Sequence, residues 1–275
     1  MSPMVAIGVN VDIKPGVGPV FDTPIRRIED IERLHAFDAT KVEYIAKTIE
    51  LLTTEVLDVP LIGFCGAPFT IASYLIEGGP TKSYNKTRGM LISEPEIWNG
   101  LMEKLADMSI EYLTMQACAG ANALQIFDSW VGAVNSTEYE QAIFPHMKRI
   151  ISTVKSRFPN LPLAMNGVGT DHLVSTWAKL PLDVIALDWR SSLRAAKDRG
   201  VTQTVQGNLD PAYLYGDTKT IAKVVDEILM DGVRHGKHVF NLGHGVFPEA
   251  DPAKLHWLTD YVHEKSRELW ARESR

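Results

Sequence analysis

A chain of 275 residues, 45% hydrophobic and 23% charged, carries enough apolar surface for a sizeable core, which excludes a disordered or collagen-like polymer. The net charge of −6 and the lack of a dense Lys/Arg cluster argue against nucleic acid as a partner. Cys65 and Cys118 lie too far apart for a CxxC pair, no apolar run reaches membrane-spanning length, and the first residues lack a basic leader. These features point to a soluble protein of the reducing cytoplasm with no membrane partner.

In chain order, Val9–Ile13 reads as a strand and Lys14–Pro19 as a loop, where Pro and Gly break both kinds of periodicity. Thr40 with Glu43 forms a capping-box pattern for a helix to about Val56, with Val42, Ile45, Ile49 and Leu52 on one face. The apolar run from Val59 breaks into Gly63-Phe-Cys-Gly-Ala-Pro-Phe-Thr70 before a helix through Tyr74. Ser93 with Glu96 is read as the cap of a long helix to about Gln116. A strand over Asn122–Phe127 ends at Asp128-Ser129-Trp130, and Thr137 with Glu140 opens a helix to about Phe158, with a kink expected at Pro145.

The second half repeats this grammar four times. Strands over Leu161–Met165, Val184–Leu187, Gln203–Val205 and Val239–Leu242 end at Asn166, Asp188, Gln206 and Gly243-His244-Gly245. Helices are expected over His172–Lys179, Ser191–Arg199, Thr218–His235 and Pro252–Ala271. Apolar strands alternating with helices predict a parallel sheet covered by helices, and polar strand ends spread along the chain favour a (β/α)8 TIM-type barrel over a doubly wound sheet. Six strands are clear and Val9 begins a seventh, so the barrel is expected to be incomplete at its N-terminus. No linker divides residues 1–275, which are read as a single barrel domain.

If the strand ends share one mouth, Tyr74, Phe127, Asp128, Ser129, Trp130, Asn166, Asp188, Arg190, Gln206, Asn208, Asp210 and His244 face it. Asp188 and Asp210 are possible acid and base, and equally helix caps. Ser129 lacks the Gly-x-Ser-x-Gly elbow of a hydrolase, and the His235/His238 pair lacks further metal ligands, so no metal is expected. Phe127 with Trp130, and Phe69 with Tyr74, read as aromatic core pairs.

Five motifs together resemble one family. They are Gly63–Thr70 continued through Tyr74-Leu-Ile-Glu-Gly-Gly79, Gln125-Ile-Phe-Asp-Ser-Trp130, Leu187-Asp-Trp189, Gln206-Gly-Asn-Leu-Asp-Pro211 and Asn241-Leu-Gly-His-Gly245. In order and spacing they are similar to uroporphyrinogen decarboxylases. The resemblance implies a homodimer and a cofactor-free decarboxylation that turns four acetate arms of uroporphyrinogen III into methyl groups. It implies substrate-binding roles for Tyr74, Ser129, His244 and Phe127, and assigns no catalytic residue in this chain. The family's Arg-Gln-Ala-Gly-Arg motif and pyrrole-binding aspartate precede the point matching Met1, so the chain resembles the enzyme begun at an internal methionine, with activity of this form in question. Arg190, Lys82 and Arg88 are candidate charges for substrate carboxylates. The alternatives weighed are a non-catalytic porphyrinogen-binding remnant and a corrinoid-dependent methyltransferase on the related barrel.

Overall fold

The computed structural model describes residues 2–16 and 18–273, which fall into two compact units, 1–166 and 167–275. The first unit is built around one long helix, Pro95–Cys118, which buries Trp98, Leu101, Met102, Leu105, Met108 and Leu113 at intervals of three and four. It packs against Pro68–Glu77, Phe144–Arg157 and the strand Ile62–Gly66. The indole of Trp98, wholly buried, donates to the carbonyl of Ala142 at 2.9 Å. That bond lets a large amphipathic ring fill the core without an orphaned N–H.

Strands β1 (Asp12–Lys14) and β2 (Gly18–Val20) form an antiparallel ribbon apart from the parallel series, which corrects the reading of Val9–Ile13 as a barrel strand. The physical reason lies in the segment itself. Val9-Asn-Val-Asp-Ile13 alternates apolar and polar residues, whereas a strand of a parallel sheet is buried on both faces, and Ile13 is indeed exposed.

Strands β3 (Ile62–Gly66) and β4 (Ala123–Asp128) pair in parallel, with Phe64 opposite Gln125 and Gly66 opposite Phe127. The helices Pro68–Glu77 and Pro95–Cys118 lie between them in sequence. On the other edge of β3, Phe64 donates its N–H to Oε1 of Gln116 and accepts from Nε2, both at 2.9 Å. A buried side-chain amide thus takes the place of a neighbouring peptide. Strand β5 is Leu163–Gly167.

In the second unit, β6 (Val184–Ala186), β7 (Thr204–Gln206) and β8 (His238–Val239) pair in parallel in sequence order. Strand β8 is shorter than expected, and Leu242 rejoins the ladder only as a bridge to Leu209. Helix Thr218–His235 starts on an Asp217 cap, with Oδ1 accepting from the Thr220 N–H at 2.7 Å. It packs on Pro252–Glu273 around Leu209, Leu214, Ile221, Val225, Leu229 and Leu258. Parallel pairing of strands consecutive in sequence, with helices in the crossovers, is the α/β winding of a (β/α) barrel, whereas a doubly wound sheet reverses its order at a switch point. Six strands, β3 to β8, belong to this series among the described residues.

Several helix starts differ from the sequence expectation for two reasons, a capping side chain upstream of the pattern or a proline that opens the helix. Asp38, not Thr40, caps the 3-10 turn Ala39–Val42, which runs into Glu43–Leu51 and a π-type turn over Leu52–Val56. Ser93 ends the helix Asn85–Ser93, and the long helix begins at Pro95, where a missing N–H costs nothing. Pro145 likewise starts a new helix, Phe144–Arg157, instead of kinking one. The preceding helix, Ser136–Ala142, has a capping box of Asn135 with Glu138. Asn135→Ala is expected to cost about 1 kcal/mol in urea unfolding, the usual value of an N-cap bond.

Candidate active site

In the first unit the C-terminal end of β4 meets the first turns of helix Pro68–Glu77. Asp128, the last residue of β4, is fully buried, and its Oδ1 accepts from the Thr70 hydroxyl at 2.9 Å. Thr70 Oγ1 in turn accepts from the Trp130 N–H at 3.3 Å. Oδ2 of Asp128 has no hydrogen-bond partner among the described residues. Burial pushes this carboxyl up to about 7, only partly offset by Thr70.

The Thr70 latch fixes the Ser129–Trp130 turn beside Tyr74, one helical turn further along. The Tyr74 and Trp130 rings lie 4.0 Å apart between centroids, with Tyr84 at 5.2 Å from Trp130 and Phe21 at 6.2 Å from Tyr74. Tyr74 and Ser129 are both half-buried. Burial raises the Tyr74 phenol above its ordinary value, so the hydroxyl is a neutral donor at neutral pH. Phe127 points its ring edge-on to Phe64 at 5.7 Å. Tyr74, Phe64 and Thr70 line a cavity of about 140 Å³.

These contacts re-pair the aromatics. Trp130 partners Tyr74, Phe127 partners Phe64, and Phe69 partners Trp98 at 6.1 Å, in place of the pairs read from nearness in sequence. Phe127 and Trp130 stand on either side of a strand end, and Phe69 and Tyr74 are five residues apart on one helix, so neither pair faces the same way.

In the second unit, the ends of β6, β7 and β8 form a tightly bonded corner. Asp188, buried, accepts from the Arg190 N–H at 2.9 Å and, through Oδ2, from the Gly169 N–H at 2.5 Å and Arg190 Nη1 at 2.8 Å. Asp188 is therefore a structural anchor for Arg190 rather than a free acid. Arg190 lies over the Trp189 indole, 3.8 Å from its centroid, and the exposed His244 ring meets the same indole edge-on at 5.9 Å. Asn208 donates to the carbonyls of Asp188 and Ser191, and Asp210 caps the turn Pro211–Tyr215. Asp210 thus takes the cap role, and Asp188 and Asp210 do not act as an acid and base pair in this geometry.

His244 is accessible because the chain runs against Trp189. A Cβ on Gly243 would fall 2.4 Å from the Trp189 nitrogen, while one on Gly245 would meet nothing. Gly207, at φ +133°, faces the Leu187 carbonyl in the same way, at 2.6 Å. Of the two glycines that flank His244, only Gly243 is required by close approach.

His235 and His238 bond backbone carbonyls of Gln203 and Gly207 through Nε2, at 2.8 and 2.7 Å. Among the described residues no group of three His, Cys, Asp or Glu side chains is placed to hold a metal ion. Cys65 is buried, with its thiol pushed up to about 12 by desolvation, the opposite of what a thiolate ligand needs. No helix of the described residues is long and apolar enough to cross a membrane.

Comparison with known proteins agrees with the motif reading. A solved methyltransferase from Methanosarcina mazei matches 98% of this chain and 78% of its own with a TM-score of 0.74 at 15% identity, a likeness of fold. A B12-independent methionine synthase from Shewanella sp. W3-18-1 matches 83% of this chain and 67% of its own, with a TM-score of 0.58 at 14% identity. The uroporphyrinogen decarboxylase of Geobacillus sp. (strain WCH70) is 54% identical over 265 residues, 96% of this chain and 76% of that protein. That of Oceanobacillus iheyensis is 52% identical over 269 residues, covering 98% and 77%. The family model described as uroporphyrinogen decarboxylase matches residues 1–265, and with those relatives it establishes that the chain belongs to the uroporphyrinogen decarboxylase family.

Proposed function

We propose that this chain is a uroporphyrinogen decarboxylase, a carboxy-lyase that converts the four acetate arms of uroporphyrinogen III into the methyl groups of coproporphyrinogen III in porphyrin and haem biosynthesis. The observation that carries this reading is the 54% identity with a curated decarboxylase across 96% of the chain. The fold-level likeness to methyltransferases, at 15% identity, does not compete with it.

The reaction needs an electron sink and three proton movements. Protonation of a pyrrole α-carbon makes a cation conjugated to the acetate methylene. The C–C bond to the carboxylate then breaks, CO₂ departs, and its electron pair neutralises the ring. A proton added at the former methylene and one lost from the α-carbon complete the methyl group. Net, each arm takes up one proton and releases one CO₂.

Tyr74 is proposed to lie beside the macrocycle, with its neutral hydroxyl available to a carboxylate and its ring held by Trp130. Ser129, fixed by the turn that Thr70 latches, donates to a substrate carboxylate. Phe127, backed by Phe64, lines the tetrapyrrole, and His244 stands at the rim. We further propose a single barrel domain over 1–275, a homodimer and a cytoplasmic location, on the strength of the family relationship. Anaerobic incubation with uroporphyrinogen III, with products separated by carboxylate number, is expected to yield hepta-, hexa-, penta- and finally tetracarboxylate species. A protein that releases no CO₂ under these conditions overturns the reading, and sedimentation velocity tests the dimer.

A further inference from the structure

We infer that Arg190, mounted on Trp189 beside His244, forms a carboxylate-binding subsite in the second unit that receives one acidic arm of the substrate. The inference rests on the proposed substrate class, a tetrapyrrole with eight carboxylates, which an acidic protein with 28 basic and 34 acidic side chains must meet with local positive charge. Three cations stood out in the sequence for that task. Arg88 is half-buried and pairs with Glu138 at 3.5 Å, and Lys82 is an exposed side chain on a loop. Arg190, itself paired with Asp188 at 2.8 Å, differs from both in also lying flat against an indole.

One edge of its guanidinium is fixed by the buried Asp188, and its face rests on the indole. The remaining edge has no hydrogen-bond partner among the described residues, and the side chain is 50% exposed. A planar fork held in this way loses little entropy when it accepts a second carboxylate, and stacking on an indole leaves its in-plane donors free. His244 shares the same indole and adds an exposed ring nitrogen to the anion's surroundings. Asp188 offsets part of the Arg190 charge, but its carboxylate also accepts from the Gly169 and Arg190 backbone N–H groups, which share in balancing it. A cleft that Trp189 lines together with Asp210, Glu227 and Asp231 is acidic and unsuited to the same ligand.

The test uses Arg190→Lys, which keeps a cation near Asp188 but removes the fork and the flat stack. Binding of uroporphyrin I, with eight carboxylates, is followed by tryptophan fluorescence beside coproporphyrin I, with four. Steady-state turnover of uroporphyrinogen III is measured in parallel. The expected result is about a tenfold weaker uroporphyrin affinity and a KM raised by a similar factor, with a smaller effect on kcat and on coproporphyrin binding. A double variant, Asp188→Asn with Arg190→Gln, removes the pair together and leaves no lone buried charge, so it gives the same readout if the lysine variant folds poorly. Unchanged affinity and KM in a folded variant overturn the subsite and leave the pair a structural anchor. Absence of turnover in the unaltered protein instead defeats the decarboxylase reading, while the porphyrin titration still decides whether Arg190 binds carboxylates.

Discussion

Gly243→Ala is expected to destabilise the protein by on the order of 3 kcal/mol and to depress turnover at least tenfold, while Gly245→Ala is close to neutral in stability. The added methyl on Gly243 would sit 2.4 Å from the Trp189 nitrogen and 3.1 Å from its Cα. Those are backbone atoms, so no rotamer change relieves the contact, and the Leu209–Leu242 bridge and the Trp189–His244 contact must shift together. The methyl on Gly245 has open space and an ordinary backbone. Urea unfolding and steady-state rates of the two variants, measured side by side, check the contrast. Equal tolerance of both substitutions would mean that the close approach is not needed to hold His244.

The second large effect is a pH dependence centred on Asp128. Its folded-state carboxyl titrates at about 7, above the value of 3.8 for a free aspartate, because burial disfavours the ion. The sign follows from linkage. Stability from the neutral form is fully present below the unfolded value, falls while the unfolded chain alone has lost its proton, and is gone once the pH passes the folded value. Between pH 5 and pH 8 the native protein is therefore expected to lose roughly 3 kcal/mol relative to Asp128→Asn, at about 1.4 kcal/mol per pH unit of the window. The asparagine keeps an oxygen for Thr70 and places a second buried donor where Oδ2 stood, a cost of about 1–3 kcal/mol that does not vary with pH. Urea unfolding of both proteins at pH 5 and 8 gives the result, and parallel stability curves would show that Asp128 does not titrate in this range.

The parts of the fold legible in the sequence were those carried by long periodic signals. Helix Thr218–His235 has the bounds its pattern predicts, since Asp217 caps it and a left-handed Gly236 ends it. The six parallel strands were also legible, as short apolar runs closed by polar residues. Boundaries set by an upstream cap or by a proline at the helix start were not, as Asp38, Asn135 and Pro95 show. At the site, the motifs named Tyr74, Phe127, Ser129 and His244, and named Asp188 and Arg190 among the strand ends. They could not reveal that the Asp188 carboxylate is shared between Arg190 and the Gly169 N–H, nineteen residues away. Nor could they reveal the Thr70–Asp128 bond across fifty-eight residues, which no local pattern encodes.

The Gln116 amide on the edge of β3 carries a consequence for how the protein behaves at high concentration. An open strand edge flanked by exposed Ile62 and Phe64 is a template on which another chain can add its own strand. Most proteins blunt such an edge with lysine or proline. Here the donor and acceptor of Phe64 are already occupied by one neutral side chain from the long helix, itself almost wholly buried. Resistance to intermolecular strand exchange at this position is therefore insensitive to salt and pH, and persists for as long as Pro95–Cys118 stays docked.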